Sequence, residues 1–200
     1  MVYSLQISEL KPLHPSKPLL PRIQPRMDDE SFHEMSNRYP VWNSDSIFAG
    51  YELYWSETYQ DTRVLMERQF EGNLAHATGP IYGYADCRLI ARNYHNAAPG
   101  LTALSWLSMG ALPLLGMPHS VFKQQTELEV RIYTTKGDLA GIYTGTGSAR
   151  CTQGFYIYTA DARRQLSLRA TRLALDEIGE KIQKDTPRLK EALLKAGYLP

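Results

Sequence analysis

The stretch that decides the fold is TELEVRIYTTKGDLAGIYTGTGSARC, Thr126 to Cys151. Leu128, Val130 and Ile132 alternate with Glu127, Glu129 and Arg131, which predicts a strand with one face inside and one in water. TTKGD then supplies a turn containing glycine, and Leu139 to Cys151 returns as a second strand, making a β-hairpin. The returning strand places Gly141, Gly145, Gly147, Ala149 and Cys151 at alternate positions. A row of glycine weakens a strand unless another backbone must come close, and the expected neighbour is a helix laid across the sheet.

That helix follows directly. In ARRQLSLRATRLALDEIGEKI (162–182), Leu166, Ala170, Leu173, Ala174, Ile178 and Ile182 form an apolar stripe at helical spacing, with Asp161 expected as its cap. A shorter helix is expected with Thr186 as its cap and Pro187 as its first residue, ending before Gly197. Upstream, IYGYADCRLIAR (81–92) alternates strictly, with Gly83, Ala85, Cys87, Leu89 and Ala91 on the inner face and Arg88 and Arg92 on the outer. DTRVLMERQF (61–70) sets Val64, Met66 and Phe70 in a looser alternation, which favours a strand, with an amphipathic helix as the alternative. Strands followed by a terminal helix predict an α+β fold, an antiparallel or mixed β-sheet covered on one face by a long C-terminal amphipathic helix.

Residues 11–25, KPLHPSKPLLPRIQP, carry Pro12, Pro15, Pro18, Pro21 and Pro25, a density that excludes helix and predicts an extended arm. The chain is accordingly divided into an N-terminal arm, 1–45, and a single domain, 46–200. A net charge of +1 and a mean hydropathy of −0.37 describe a globular chain without a field to gather polyanions, so nucleic acid is not expected as a partner. Thirteen tyrosines against five phenylalanines favour half-wet faces and interfaces.

Catalytic and ligand signatures are weak. The glycines of GTGSAR (145–150) alternate as strand positions do and open no helix, so a phosphate loop is not expected. His119, Ser120, Asp86 and Asp138 allow a triad to be assembled on paper, but no nucleophile elbow accompanies them. The histidines (14, 33, 76, 95, 119) lack metal-ligand spacing, and Cys87 and Cys151 are too few and too distant for zinc; whether they pair is left open. No catalytic residue, cofactor or metal is therefore assigned.

Asn93 to Phe122 contains no Asp, Glu, Lys or Arg. A membrane span needs about 20 apolar residues, and Gly110, Pro113, Gly116 and Pro118 break the second half of Leu101 to Pro118. The expectation is burial: LTALSWLSMGAL as a short core helix and PLLGMP as an apolar closure, with Trp106 shielded and Leu115 in the core. The rival is an interfacial element presenting Trp106, Leu107, Met109, Leu114, Leu115 and Met117 to a bilayer surface or a protein partner.

VLMERQFEGNL (64–74), GYADCRL (83–89), PLLGMP (113–118), ELEVRIYTTKGDLAGIYTGTGSAR (127–150) and the closing amphipathic helix resemble an uncharacterised class of small envelope lipoproteins of Gram-negative bacteria, over about residues 60–185. The layout is similar to the α+β modules of outer-membrane assembly and curli-secretion lipoproteins. The resemblance implies a non-enzymatic accessory or scaffold role at the periplasmic face of a membrane, with an unknown protein partner or peripheral membrane contact. MVYSLQISELKP shows no basic region followed by an apolar one and no lipid-accepting cysteine, so anchoring is not carried over. The expected place is the cell envelope if a signal peptide has been trimmed, and the cytoplasm otherwise. The alternative role is a small hydrolase or ligand-binding domain with a pocket under residues 93–122.

Overall fold

The structure, a computed structural model, describes residues 18–38, 48–118, 120–153 and 159–199. Strand β3 (Ser120–Thr134) and strand β4 (Leu139–Gln153) form the long antiparallel hairpin, paired from Ser120 opposite Gln153 to Ile132 opposite Gly141 and, after a one-residue slip, Tyr133 opposite Leu139. Strand β2 (Gly83–Asn96) pairs antiparallel with the other edge of β3. Strand β1 (Ile23–Met27) adds in parallel to β2, completing a mixed sheet in the order β1-β2-β3-β4. Pro25 sits in this outermost strand, where a missing N–H can face away from the ladder. Leu20 and Ile23, which fall in the stretch expected to be an arm, are buried in the same core as the strands, as is Phe32 of helix α1 (Asp29–Arg38).

Helix α5 (Thr159–Lys184) lies across one face of the sheet, as the glycine row predicts. A Cβ on Gly147 would run into the carbonyl of Ala170 and come within 2.7 Å of the Ala174 nitrogen; one on Gly145 would meet the carbonyl of Ala174 and lie 2.8 Å from the Ile178 side chain. The helix begins at Thr159, before Asp161, so Asp161 is not its cap. Leu166, Ala170, Ala174, Ile178 and Ile182 are buried as expected, whereas Leu173 is exposed and Leu168, Thr171 and Leu175 face inward. Helix α6 (Thr186–Ala196) buries Leu189 and Leu193 and stops at Gly197, whose φ of 88° favours glycine. Its cap position is Asp185, one residue before the expected Thr186. Asp185 accepts a 2.5 Å hydrogen bond from the Tyr143 hydroxyl of β4 and bonds from Arg188, tying this corner to the sheet. Burial and the Asp185 acceptor push the Tyr143 phenol up to about 12.

The outer edge of β4 is partly covered by the same long helix. Lys181 Nζ donates to the Thr144 carbonyl at 2.7 Å, the Thr146 N–H donates to Glu177 at 2.9 Å, and the two side chains pair with each other at 2.7 Å. An exposed edge strand invites pairing with another chain, and this ion pair occupies the edge groups that would do so.

Two local readings change. Residues 61–69 belong to helix α2 (Phe48–Gln69) and Phe70 opens the wider helical turn Phe70–Leu74 that follows, so the stretch is the helical alternative and not a strand. The buried positions are Asp61, Thr62, Leu65, Met66 and Phe70, a helical spacing that includes two polar residues. Asp61 is admitted to the interior because Arg164 of α5 holds it through two hydrogen bonds of 2.8 and 2.9 Å. In β2 the register slips between Leu89 and Ala91, a bulge that leaves Ile90 exposed and reverses which side chains point inward. Arg92, expected outside, is therefore buried beneath α5, donating to the Ser167 hydroxyl at 2.9 Å, while Ala91 is only half-buried.

The register also settles the cysteines. Cys87 lies opposite Val130 and Cys151 opposite Phe122, a separation along β3 of about 27 Å at a strand's rise per residue, far beyond the reach of a disulfide. Burial pushes the Cys87 thiol up to about 12, which makes it a small core side chain rather than a nucleophile.

Candidate functional site

Strands β2 and β3 stay paired as far as Asn96 opposite Phe122, and the chain between them, 97–119, is inserted at the end of that ladder. The insertion begins with an anchor to the strand. The Asn96 carboxamide accepts from the Ala98 N–H at 2.9 Å and donates to the Thr102 hydroxyl at 2.8 Å, and the Ala97 N–H donates to the Val121 carbonyl at 2.7 Å. Helix α3 (Pro99–Leu107) then starts with proline in its first turn, where no donor is needed. A single turn, helix α4 (Ala111–Leu114), follows.

Helix α3 ends in a Schellman arrangement. The Gly110 N–H bonds back to the Ser105 carbonyl and the Met109 N–H to the Trp106 carbonyl, both at 3.0 Å. This motif puts the residue after the cap in the left-handed region, normally the place of glycine, and here that residue is Met109 at φ 50°. A side chain there costs about 1 kcal/mol or more in backbone strain, and Met109 gains no burial in exchange, being 96% exposed.

The apolar side chains of this insertion point outward. Trp106 is 81% exposed, Leu107 82%, Leu114 65%, Leu115 83% and Met117 40%, and α3 buries no residue. The expectation that this segment is core, with Trp106 shielded and Leu115 inside, is overturned. The segment leaves the sheet where the β2–β3 ladder ends at Asn96 and Phe122, and among the described residues α3 buries none of its own side chains there. The absence of charge between Asn93 and Phe122 thus marks an exposed apolar tip.

Just below the tip the ladder is bordered by two sets of side chains. On one face Tyr94 stacks on Phe122, ring centres 5.1 Å apart. On the face away from α5, His95 is opposite Lys123 and Lys123 is opposite Arg150, a row of basic side chains across three strands. The alternation that buries Gln124 and Gly147 under α5 turns their neighbours Lys123 and Arg150 the other way.

The hydrolytic grouping does not form. Asp86 is opposite Arg131, about 37 Å along β3 from Ser120 at a strand's rise per residue, and Asp138 lies beyond the far end of that strand. His119 lies outside the described residues. Among the described residues no cluster of His, Cys, Asp or Glu has the composition of a metal site. No helix of the described residues is long and apolar enough to cross a membrane.

No family model matches the chain, and no curated protein matches it. Among solved structures the chain is similar to a minor lipoprotein from Acinetobacter baumannii, at 8% identity and a TM-score of 0.31 over 86% of this chain and 92% of that one. A superposition that loose fixes neither fold nor role.

Proposed function

We propose that the protein is a non-enzymatic accessory or scaffold module of the bacterial cell envelope, facing the periplasm, and that its contact element is the apolar tip between β2 and β3. The observation that carries this reading is the exposure of Trp106, Leu107, Met109, Leu114, Leu115 and Met117 together, on a segment tied firmly to the sheet at its base. Contiguous apolar surface of this kind is costly to keep in water and is a mark of a binding face. The backbone of Met109 supports the same reading, since strain retained at a fully exposed side chain has no packing explanation. Placement in the envelope and the non-enzymatic role both rest on the motif resemblance of residues 60–185.

Two substitutions test it. Leu115→Asp should change stability by no more than about 0.5 kcal/mol, as for an exposed position, and Met109→Gly should raise it by about 1 kcal/mol by relieving the strained φ. Both variants should shift the protein from the membrane fraction to the soluble fraction when a Gram-negative host exporting it is fractionated. A Leu115→Asp protein that melts many degrees lower would show the tip to be core, and one that fractionates like wild type would show that the tip is not the contact.

A further inference from the structure

We infer that the partner of this tip is the surface of a bilayer rich in anionic lipid, with the apolar tip entering the headgroup boundary and the row His95, Lys123 and Arg150 lying at the level of the phosphates. The inference rests on the reading of the tip as a contact element and adds what it contacts.

Charge is distributed in the way such a surface requires. Between Arg92 and Thr126, and again between Gly147 and Ala160, the chain contains no Asp or Glu. These segments include the ends of all three long strands and the whole tip. The cations they hold are Arg92, which is buried, and Lys123 and Arg150, which share one row on the open face of the sheet with His95. Neighbouring strands are about 4.8 Å apart, so the row spans roughly 10 Å parallel to the end of the sheet. On the strands themselves the nearest carboxylates lie farther back, Glu127 and Glu129 on β3 and Asp86 on β2; off the strands, helix α1, packed on β2, carries Asp29, Glu30 and Glu34, and the first turn of α5 carries Asp161.

The order along the strand axis is that of an interfacial element. The outermost layer is Trp106, Met109 and Leu115, which are at least 80% exposed and uncharged. Behind it come the stacked rings of Tyr94 and Phe122 on one face and the basic row on the other. Aromatic rings with a polar edge and long cationic side chains are the groups that settle at the headgroup level, the ring lying in the boundary and the cation reaching the phosphate. One apolar insertion of this size binds a membrane weakly and reversibly, and electrostatic attraction to anionic lipid supplies the second signal that makes such binding stable. A protein partner would instead be expected to meet some hydrogen-bonding side chains in a fixed pattern, and from Gly110 to Pro118 the tip offers none.

The test is co-sedimentation of the full chain with vesicles of phosphatidylcholine alone and of phosphatidylcholine mixed with phosphatidylglycerol. The wild type should bind the anionic vesicles far more tightly than the neutral ones. Lys123→Gln with Arg150→Gln should weaken binding to anionic vesicles roughly 25-fold, at about fivefold per cation, while leaving the weak binding to neutral vesicles unchanged. Raising the salt concentration on the wild type should weaken anionic binding in the same way, which gives the same readout without any substitution. Equal binding to both vesicles, or binding insensitive to both the double variant and salt, overturns the inference while leaving the tip as the contact. Failure to bind either vesicle also overturns it, and self-association lost in Leu115→Asp would then assign the tip to a second copy of this chain. Anionic binding that persists unchanged in Leu115→Asp would overturn the contact role of the tip itself.

Discussion

Gly147→Ala should destabilise the protein by about 3 kcal/mol or more, at or beyond the upper end of what overpacking ordinarily costs. The added methyl would overlap the Ala170 carbonyl and sit 2.7 Å from the Ala174 nitrogen, both backbone atoms of α5 that no rotamer change can move. Either the helix rises from the sheet, losing the contacts of Leu166, Ala170 and Ala174, or β4 bends away from it. Gly145→Ala should behave similarly, because its Cβ meets the carbonyl of Ala174. Gly100→Ala is the natural control: it lies in exposed α3 with nothing within 4 Å of the added carbon, and should stabilise by up to about 1 kcal/mol through helix propensity. Urea unfolding midpoints of the three variants read this directly. An unchanged midpoint for Gly147→Ala would mean that α5 does not cross the sheet at this point.

Phe70→Ala should cost about 3–5 kcal/mol. Phe70 is fully buried where α2 passes into the Phe70–Leu74 turn, beside Leu20, Met66 and Leu74 in the core. Its companion is Leu65→Ala, expected to cost about 2–5 kcal/mol as a buried leucine. The pair discriminates between the two readings of this stretch. In a strand alternating through Val64 and Met66, Leu65 would face water and its truncation would be nearly silent; in the helix, Leu65 and Met66 both face the core and Val64 is only half-buried. A large loss at Phe70 with none at Leu65, measured by denaturant unfolding, would restore the strand.

The hairpin, the inner face of β2 as far as Leu89, and α5 were legible because each buries small or apolar side chains at one clean period, two for the strands and 3.6 for the helix. The glycine row was the most informative of these signals, since Gly145 and Gly147 make sense only with a backbone above them. Helix α2 was hidden because its inward face includes Asp61 and Thr62, and a reading that counts only apolar residues takes Asp61 as surface unless it already knows of Arg164, far along the chain. The bulge at Ile90 was illegible for a related reason: nothing in CRLIAR distinguishes a regular strand from one that skips a residue, and the skip exchanged the places of Ala91 and Arg92.

The tip was misjudged for a different cause. Lack of charge reports that a segment avoids water when it is in place, and it carries no information on whether the cover is the protein's own core or another surface. Gly110, Pro113 and Gly116 correctly indicated a broken helical segment, with Gly110 and Gly116 at φ 83° and 90°. The ladder of β2 and β3 runs on to Asn96 and Phe122, beyond the strand ends at Arg92 and Thr126 that the alternation marks, and this sets the insertion at that end of the sheet.

The central claim is that this uncharged segment faces outward to meet a surface. Trp106 tests it most directly, through the fluorescence that is lost in Trp106→Phe. The difference between wild type and this variant should show an indole emitting at the long wavelength of exposed tryptophan and freely quenched by acrylamide, as its 81% exposure requires. On adding vesicles containing phosphatidylglycerol, that same contribution should shift to shorter wavelength and lose its quenching. A Trp106 signal already blue-shifted and shielded in the protein alone would contradict the account, placing the tip in the core.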